Sequence, residues 1–557
     1  MDNRKYNIYF HTHTISGIII CALLYVIFFA GSFSFFKEEI TAWQKNTSYV
    51  KSRKTVTRDF DHVIDSLSKK NNLKGRDFDF FIQRNEIGAY VSVTASNDTT
   101  LKKKIKPKTK EGSKKRGGRG RGGDDDSMYF NYDFAQHKTA DYQQGYDMGE
   151  FLYRLHFLAQ LNVVPIRLGA PFGYLLAGVV SFIFLFALLT GLMLHWDKIV
   201  SNFFTFRPWA KWKTLWTDLH TAIGVIGFPF QLIFAVTGVV LIANIILIAP
   251  FSKYLYRGDS VALYQDLEYS DTTKYAYTYQ PLKSSFSVND FMDKEGRKWP
   301  QSKITAVAIK NYGDSNMHVI LTAKPLSNES FSGTGKMVYR VRDHKVLSEL
   351  APSGSSSYVD KVKSLIYHLH FGDFGGRPLR IIFFILGIMG CLVIISGILI
   401  WLVARDKKNV PKHKRVFNFW TANIFMASSL SMLPVTALTM ISLLFIEKPN
   451  QSDIYHVYFY SWLILSVYFI ARKNLTITNH QTLILSAVLC FLLPLADGFK
   501  RNNWLWTTFA EGRYDILFID LLFLILAMLS IVVLIKMKQH DKLKPSTQPI
   551  KEVVENL

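Results

Sequence analysis

The chain has 557 residues, 49% of them hydrophobic and 15% aromatic, with a formal net charge of +23 and three cysteines. Its apolar residues gather into blocks long enough to cross a bilayer core of about 30 Å, which takes about 20 helical residues, and this excludes a soluble single domain. Cys21, Cys391 and Cys490 all fall inside apolar blocks and no Cys-x-x-Cys-His run is present, which excludes a disulfide framework and a covalently attached haem.

Eight spans are expected, near 15–36, 173–195, 221–250, 380–403, 421–446, 455–471, 480–497 and 515–536. Each should be a helix, because lipid offers no partner to an open backbone. Arg4 and Lys5 precede the first span, within 1–43, and put the N terminus in the cytoplasm. Alternation places the loop 404–419, with Arg405, Lys407, Lys408, Lys412, Lys414 and Arg415, on the same side. The tail, with Lys536, Lys538, Lys542 and Lys544, also falls inside. At roughly 22 apolar residues the first block exceeds a signal-peptide core and reads as a retained anchor.

The segment 44–150 follows. A helical pattern, DFDHVIDSLSKK, and an alternating one, EIGAYVSVTA, predict a small α+β domain outside the membrane. It carries the basic run LKKKIKPKTKEGSKKRGGRGRGGDDD at 101–126. On the outer side that run is away from nucleic acid, and its composition reads as a solvated linker, with a funnel for anionic ligands as the sharper alternative.

The stretch 151–250 holds the second and third spans. His156 stands in YRLHFLA before the second span, and His195 ends it. The third opens with HTAIGVIGFPFQLIFAVTG at 220–238, which matches HTISGIIICALLYVIFFAG at 13–31. In each, a histidine, His13 or His220, is followed by glycine four and eighteen residues on, giving Gly17, Gly31, Gly224 and Gly238. Eighteen residues make five turns, so each histidine shares a face with the second glycine, about 27 Å away.

The segment 251–366 repeats the outer domain, with VNDFMDKEGRKW ahead of SKITAVAIKNY and MHVILTA. Then 367–405 opens with YHLHFGD, which places His368 and His370 before the fourth span. The offsets, 207 residues from His13 to His220 and 214 from His156 to His370, indicate duplication. The remaining 406–557 supply four spans without a counterpart. The fold expected is a membrane α-helical bundle of about eight spans bearing two small α+β domains.

By depth, His156, His368 and His370 lie at outer entrances, and His13, His195 and His220 at inner ones. A lone histidine at an interface is usually a snorkelling residue. The repetition favours a ligand set, since imidazoles on facing bundle helices hold metals and haem. Without a covalent attachment motif the haem would be b-type, with one centre near each face. The outer pair is His156 with His370, His368 being the substitute. For the inner centre His13, His195 and His220 compete. Symmetry favours His13 with His220, and one of the three is free to hydrogen-bond a ligand instead. The four glycines would admit a flat macrocycle or a neighbouring helix. With both axial positions filled, such a centre passes electrons.

HTISG and LHTAIG, LTGLMLHW followed by FFTFRPWAKWKTLWTDLH, and LHFGDFGGRPLR, in that order over residues 1–405, resemble the PepSY-associated transmembrane family of bacterial inner-membrane proteins. The resemblance implies periplasmic PepSY-like modules at 44–150 and 251–366. It also implies b-type haems and reduction of ferric siderophores or similar chelates, with His13, His156, His195, His220 and His370 at the family's histidine positions. Oxygen-rich chelators hold hard ferric iron far better than ferrous iron, so one electron loosens the complex. Asp373, Phe374 and Arg377 beside the outer pair are candidates for the docking surface, a tight turn being the alternative. Ala30 departs from the family, standing where a threonine is usual before glycine, as does the 101–126 insertion. No Gly-rich dinucleotide motif is in context, so the electrons come from a separate inner donor or a quinol. Two other functions compete. One is an envelope sensor binding a peptide or protein through the outer domains. The other is a metal-ion transporter, disfavoured because the repeated spans carry few carboxylates.

Overall fold

The structure, a computed structural model, describes residues 2–53, 56–101, 127–166, 170–267, 273–326, 329–352, 354, 356–407 and 409–543. The body of the basic run, 102–126, and Lys408 and Lys544 lie outside the described residues. The chain forms two compact units. One combines the chain up to Ser48 with Tyr146–Gly258 and everything from Leu369 onward; the other combines Tyr49–Gly145 with Asp259–His368.

The first unit is helical. Among the described residues eight helices are long and apolar enough to cross a membrane: Asn3–Ser34, Phe172–Phe204, Trp212–Ile242, Gly376–Arg405, Lys412–Leu443, Gln451–Arg472, Leu475–Arg501 and Tyr514–His540. Most outrun their apolar cores, because polar caps and not hydropathy set helix ends. The sixth gains a turn from a capping box of Asn450 and Asp453, and the seventh starts where Asn474 accepts the Ile477 N–H. The third continues to Leu255 with Pro229 and Pro250 inside it. The fifth is interrupted at Ser431, between helices Lys412–Leu430 and Met432–Leu443.

The first four spans close a ring: first on second, second on third, third on fourth and fourth on first. Leu24, Phe28, Phe33, Phe384 and Leu399 fill its core. The last four pack as a further bundle beside it, the seventh against the fifth and eighth. They also hold the segment after the first span. Trp43 Nε1 donates to Asp520 at 2.9 Å, Ser48 Oγ to Asp515 at 2.6 Å, and Arg501 to the Trp43 and Gln44 carbonyls at 2.8 and 3.0 Å.

The second unit is one antiparallel sheet. β1 (Phe78–Ile82), β2 (Gly88–Val93), β3 (Met128–Asp133) and β4 (Lys138–Ala140) come from the first soluble segment, and β5 (Ser302–Lys310), β6 (His318–Pro325), β7 (Gly335–Arg340) and β8 (Lys345–Leu350) from the second. Each segment expected as an α+β domain supplies half of the sheet. The halves join where β1 pairs with β5, Phe78 opposite Ile309, in the order β4-β3-β2-β1-β5-β6-β7-β8.

Helices Phe60–Ser68 and Val288–Glu295 cap each other. Asp61 accepts from Ser287 Oγ and the Val288 and Asn289 N–H groups, while Asn289 returns to Asp59 and the Phe60 N–H. Their apolar faces bury Phe60, Val63, Val288 and Phe291 against Phe78, Phe80, Val307 and Leu321. The duplication is visible in the hairpins. Tyr132 bonds His137 and Tyr339 bonds His344, 3.2 and 3.0 Å from hydroxyl to Nδ1, with both histidines at positive φ.

Candidate functional site

Four histidines of the helical unit meet as two pairs. His156, ending the helix Met148–His156, faces His370, near the end of Tyr358–Phe371, with ring centres 5.8 Å apart and planes at 38°. His13 on the first span faces His220 on the third, with ring centres 6.1 Å apart and planes at 70°. The symmetric choice for the second pair is the one the fold brings together.

In all four rings Nδ1 makes the hydrogen bond to the protein. His13 Nδ1 donates to the Ala187 carbonyl at 2.9 Å, His156 Nδ1 to Ile27 at 2.8 Å and His220 Nδ1 to Val393 at 2.9 Å. His370 Nδ1 lies 2.7 Å from Thr237 Oγ1, whose own proton goes to the Ile233 carbonyl at 2.6 Å, so this hydroxyl accepts. A carbonyl or an occupied hydroxyl can only accept, so each Nδ1 carries a proton, and in the neutral ring this leaves the lone pair on Nε2. Among the described residues no hydrogen bond occupies these Nε2 atoms. A second nitrogen tethered to a carbonyl is the usual support of a metal-ligating imidazole, since it fixes tautomer and ring orientation together. Burial holds His156 and His370 below the usual imidazole range, His370 at about 3 with His156 adding to the effect, so both are neutral at pH 7.

Glycines seat three of the rings. A Cβ at Gly31 would lie 2.5 Å from His156 Nδ1, one at Gly191 3.0 Å from His13 Cε1, and one at Gly397 3.2 Å from His220 Cε1. Gly31 thus receives an imidazole, where a macrocycle or a helix was expected. Gly238 meets Ser181 Oγ of the second span at 3.2 Å, a helix-packing contact. A Cβ at Gly17 or Gly224, one turn beyond His13 and His220, would meet nothing within 4 Å. Gly191 and Gly397 act here as seats, a role that hydroxyl–glycine pairs 206 residues apart, Thr190-Gly191 and Ser396-Gly397, signal in the sequence.

His195 lies within electrostatic reach of His13 and His220, though among the described residues its ring stacks on neither. Its Nδ1 lies 3.2 Å from Asn202 Nδ2, an amide donor, so this ring is the opposite tautomer. His368 packs edge-on to Phe331 with ring centres 5.6 Å apart. It lies two residues from His370, and so about 200° away around the helix. Asp373 and Phe374 belong to a turn with Gly372 and Gly376 at φ of +58° and +61°. Arg377 is drawn to the buried carboxylate of Glu39 at 3.5 Å, beside Arg380 at 2.8 Å. Among the described residues no group of three or more metal-ligating side chains occurs.

The pairs occupy two levels. His156 sits at Ile27–Gly31 of the first span, 14 to 18 residues beyond His13, or about 21–27 Å along the helix. Aromatic rings stand at the His156–His370 level, with Phe28 against Phe184 at 5.3 Å and Phe234 against His370 at 6.2 Å.

The family profile described as PepSY-associated TM region matches residues 10–404. The chain belongs to this family. The PepSY-associated TM match takes in the ring of four spans, both imidazole pairs and the whole sheet, and stops before the last four helices. No curated protein matches the sequence.

Proposed function

We propose that the protein is a transmembrane electron carrier that holds two b-type haems and reduces ferric siderophores or similar ferric chelates. The supporting observation is the meeting of four histidines from duplicated spans as two pairs, every Nδ1 tethered. Each pair brings together two imidazoles, the nitrogen donors that haem iron takes, with ring centres 5.8 Å apart for His156 and His370 and 6.1 Å apart for His13 and His220. The residues fit the group.

In this reading His156 and His370 hold one haem, and His13 and His220 the other, with Gly17 and Gly224 leaving room beside the second pair. The haem supplies a one-electron ferric/ferrous couple. The protein's part would be to fix four tethered imidazoles as ligands and to keep their rings in an apolar bundle.

The basic loop 404–419 and tail orient the chain in a bacterial inner membrane with both termini cytoplasmic. The two halves of the sheet are then PepSY-like modules in the periplasm, the His156–His370 pair faces the chelate, and an inner protein donor or a quinol feeds the His13–His220 pair. The test uses protein in sealed vesicles with reductant on the His13 side only. An external ferric trihydroxamate should release ferrous iron to a ferrous-specific chelator, and the His13→Ala and His156→Ala variants should lose that activity. Equal rates in wild type and both variants contradict the proposal.

A further inference from the structure

A cavity of about 510 Å³ lies where the fourth span ends and the fifth begins, lined by Arg405, Val410, His413, Lys414, Phe417 and Asn418. Among the described residues no carboxylate lines it. The nearby acid in sequence, Asp406, is engaged by Arg415, whose Nε donates to Asp406 Oδ1 at 3.0 Å. Arg405 rests on the ring of Trp401, 5.4 Å from guanidinium carbon to centroid. Among the described residues neither Arg405 nor Lys414 has an acidic partner within ion-pair distance. Two cations thus share one concavity without a counter-charge, and each lowers its electrostatic energy by taking up an anion there.

The placement narrows the anion. Arg405 closes the fourth span and Lys412 opens the fifth, so the cavity sits at the level where spanning helices leave the hydrocarbon. Its other wall is apolar, with Val410 half-buried and Phe417 67% exposed. A free phosphate would use the cations and leave that wall idle. A phospholipid uses both, its phosphate between Arg405 and Lys414 and its chain along Phe417. Basic pockets between spanning helices recognise anionic headgroups in this way.

We infer that the cleft between the fourth and fifth spans is a binding site for the phosphate of an anionic phospholipid, held by Arg405 and Lys414. The inference needs neither haem nor reductase activity.

The test is native mass spectrometry of delipidated full-length protein titrated with phosphatidylglycerol or phosphatidylcholine. Wild type should retain phosphatidylglycerol about tenfold more tightly, and the Arg405→Gln/Lys414→Gln variant should lose that preference. The single variant Lys414→Glu changes an exposed side chain and guards against a folding defect, and it should also lose the preference. Unchanged retention of phosphatidylglycerol in Lys414→Glu and in the double variant overturns the inference. So does displacement of the lipid by millimolar inorganic phosphate, which would assign the site to free phosphate.

Discussion

Gly17 and Gly31 share one stripe of one helix and have opposite surroundings, which makes them a sharp pair of probes. At Gly31 a methyl would press on the His156 ring, whereas at Gly17 it would touch no protein atom within 4 Å. Gly31→Ala should therefore cost about 1–3 kcal/mol through overpacking, and it should displace the imidazole. Gly17→Ala should leave the haem-free protein as stable as wild type or more so, by up to about 1 kcal/mol, since alanine favours helix. In the haem-loaded protein the same methyl should lower haem content. Thermal unfolding of haem-free and haem-loaded protein separates the two effects; equal behaviour of the two variants would count against the assigned seats. The spacing of histidine and glycine was legible in the sequence. What each glycine touches was not, because that depends on which neighbouring helix leans on the stripe. Ala30 illustrates the point. Its counterpart Thr237 accepts from His370 Nδ1 through its hydroxyl oxygen, whereas His156 Nδ1 donates to the Ile27 carbonyl.

Among the elements, the short helix Met148–His156 has the most exacting task, since it carries His156 without spanning the membrane. Asp147 caps it and accepts from Thr41 Oγ1 at 2.8 Å, while Glu150 is paired with Lys37 and Arg154. Burial pushes the Glu150 carboxyl up, but Lys37 and Arg154 outweigh it and the net shift is downward. A lowered folded value means stability that is present above the ordinary carboxyl range and lost as pH falls through the folded value. Hydrogen exchange of 148–156 should accelerate as pH is taken from 7 to below about 4, relative to a Glu150→Gln variant corrected for intrinsic rates. Pace that does not change would contradict the role given to the ion pairs. Hydropathy located all eight spans because an apolar run must lie in lipid, yet it missed their polar ends, which caps decide. Of the eight strands, β2, β5 and β6 were legible from alternation. Their union was not, since nothing in the pattern of β1 or β5 names the partner across the edge.

At the scale of the molecule, one duplication explains the ring of four spans, the matched halves of the sheet, the paired Tyr–His hairpins and the two imidazole levels. The hairpin pair, Tyr132/His137 and Tyr339/His344, keeps the same 207-residue offset as His13 and His220. It was available to a repeat search through the soluble segments. The last four spans lie outside the duplication and brace the segment after the first span through Trp43, Ser48 and Arg501. The proposed electron carrier requires haem on both histidine pairs. The most direct measurement is haem content and the reduced-minus-oxidised spectrum of purified wild type, His13→Ala, His156→Ala and the double variant. The prediction is two haems per chain, one in each single variant and none in the double. A wild-type spectrum without haem bands, or two haems retained in either single variant, would contradict it.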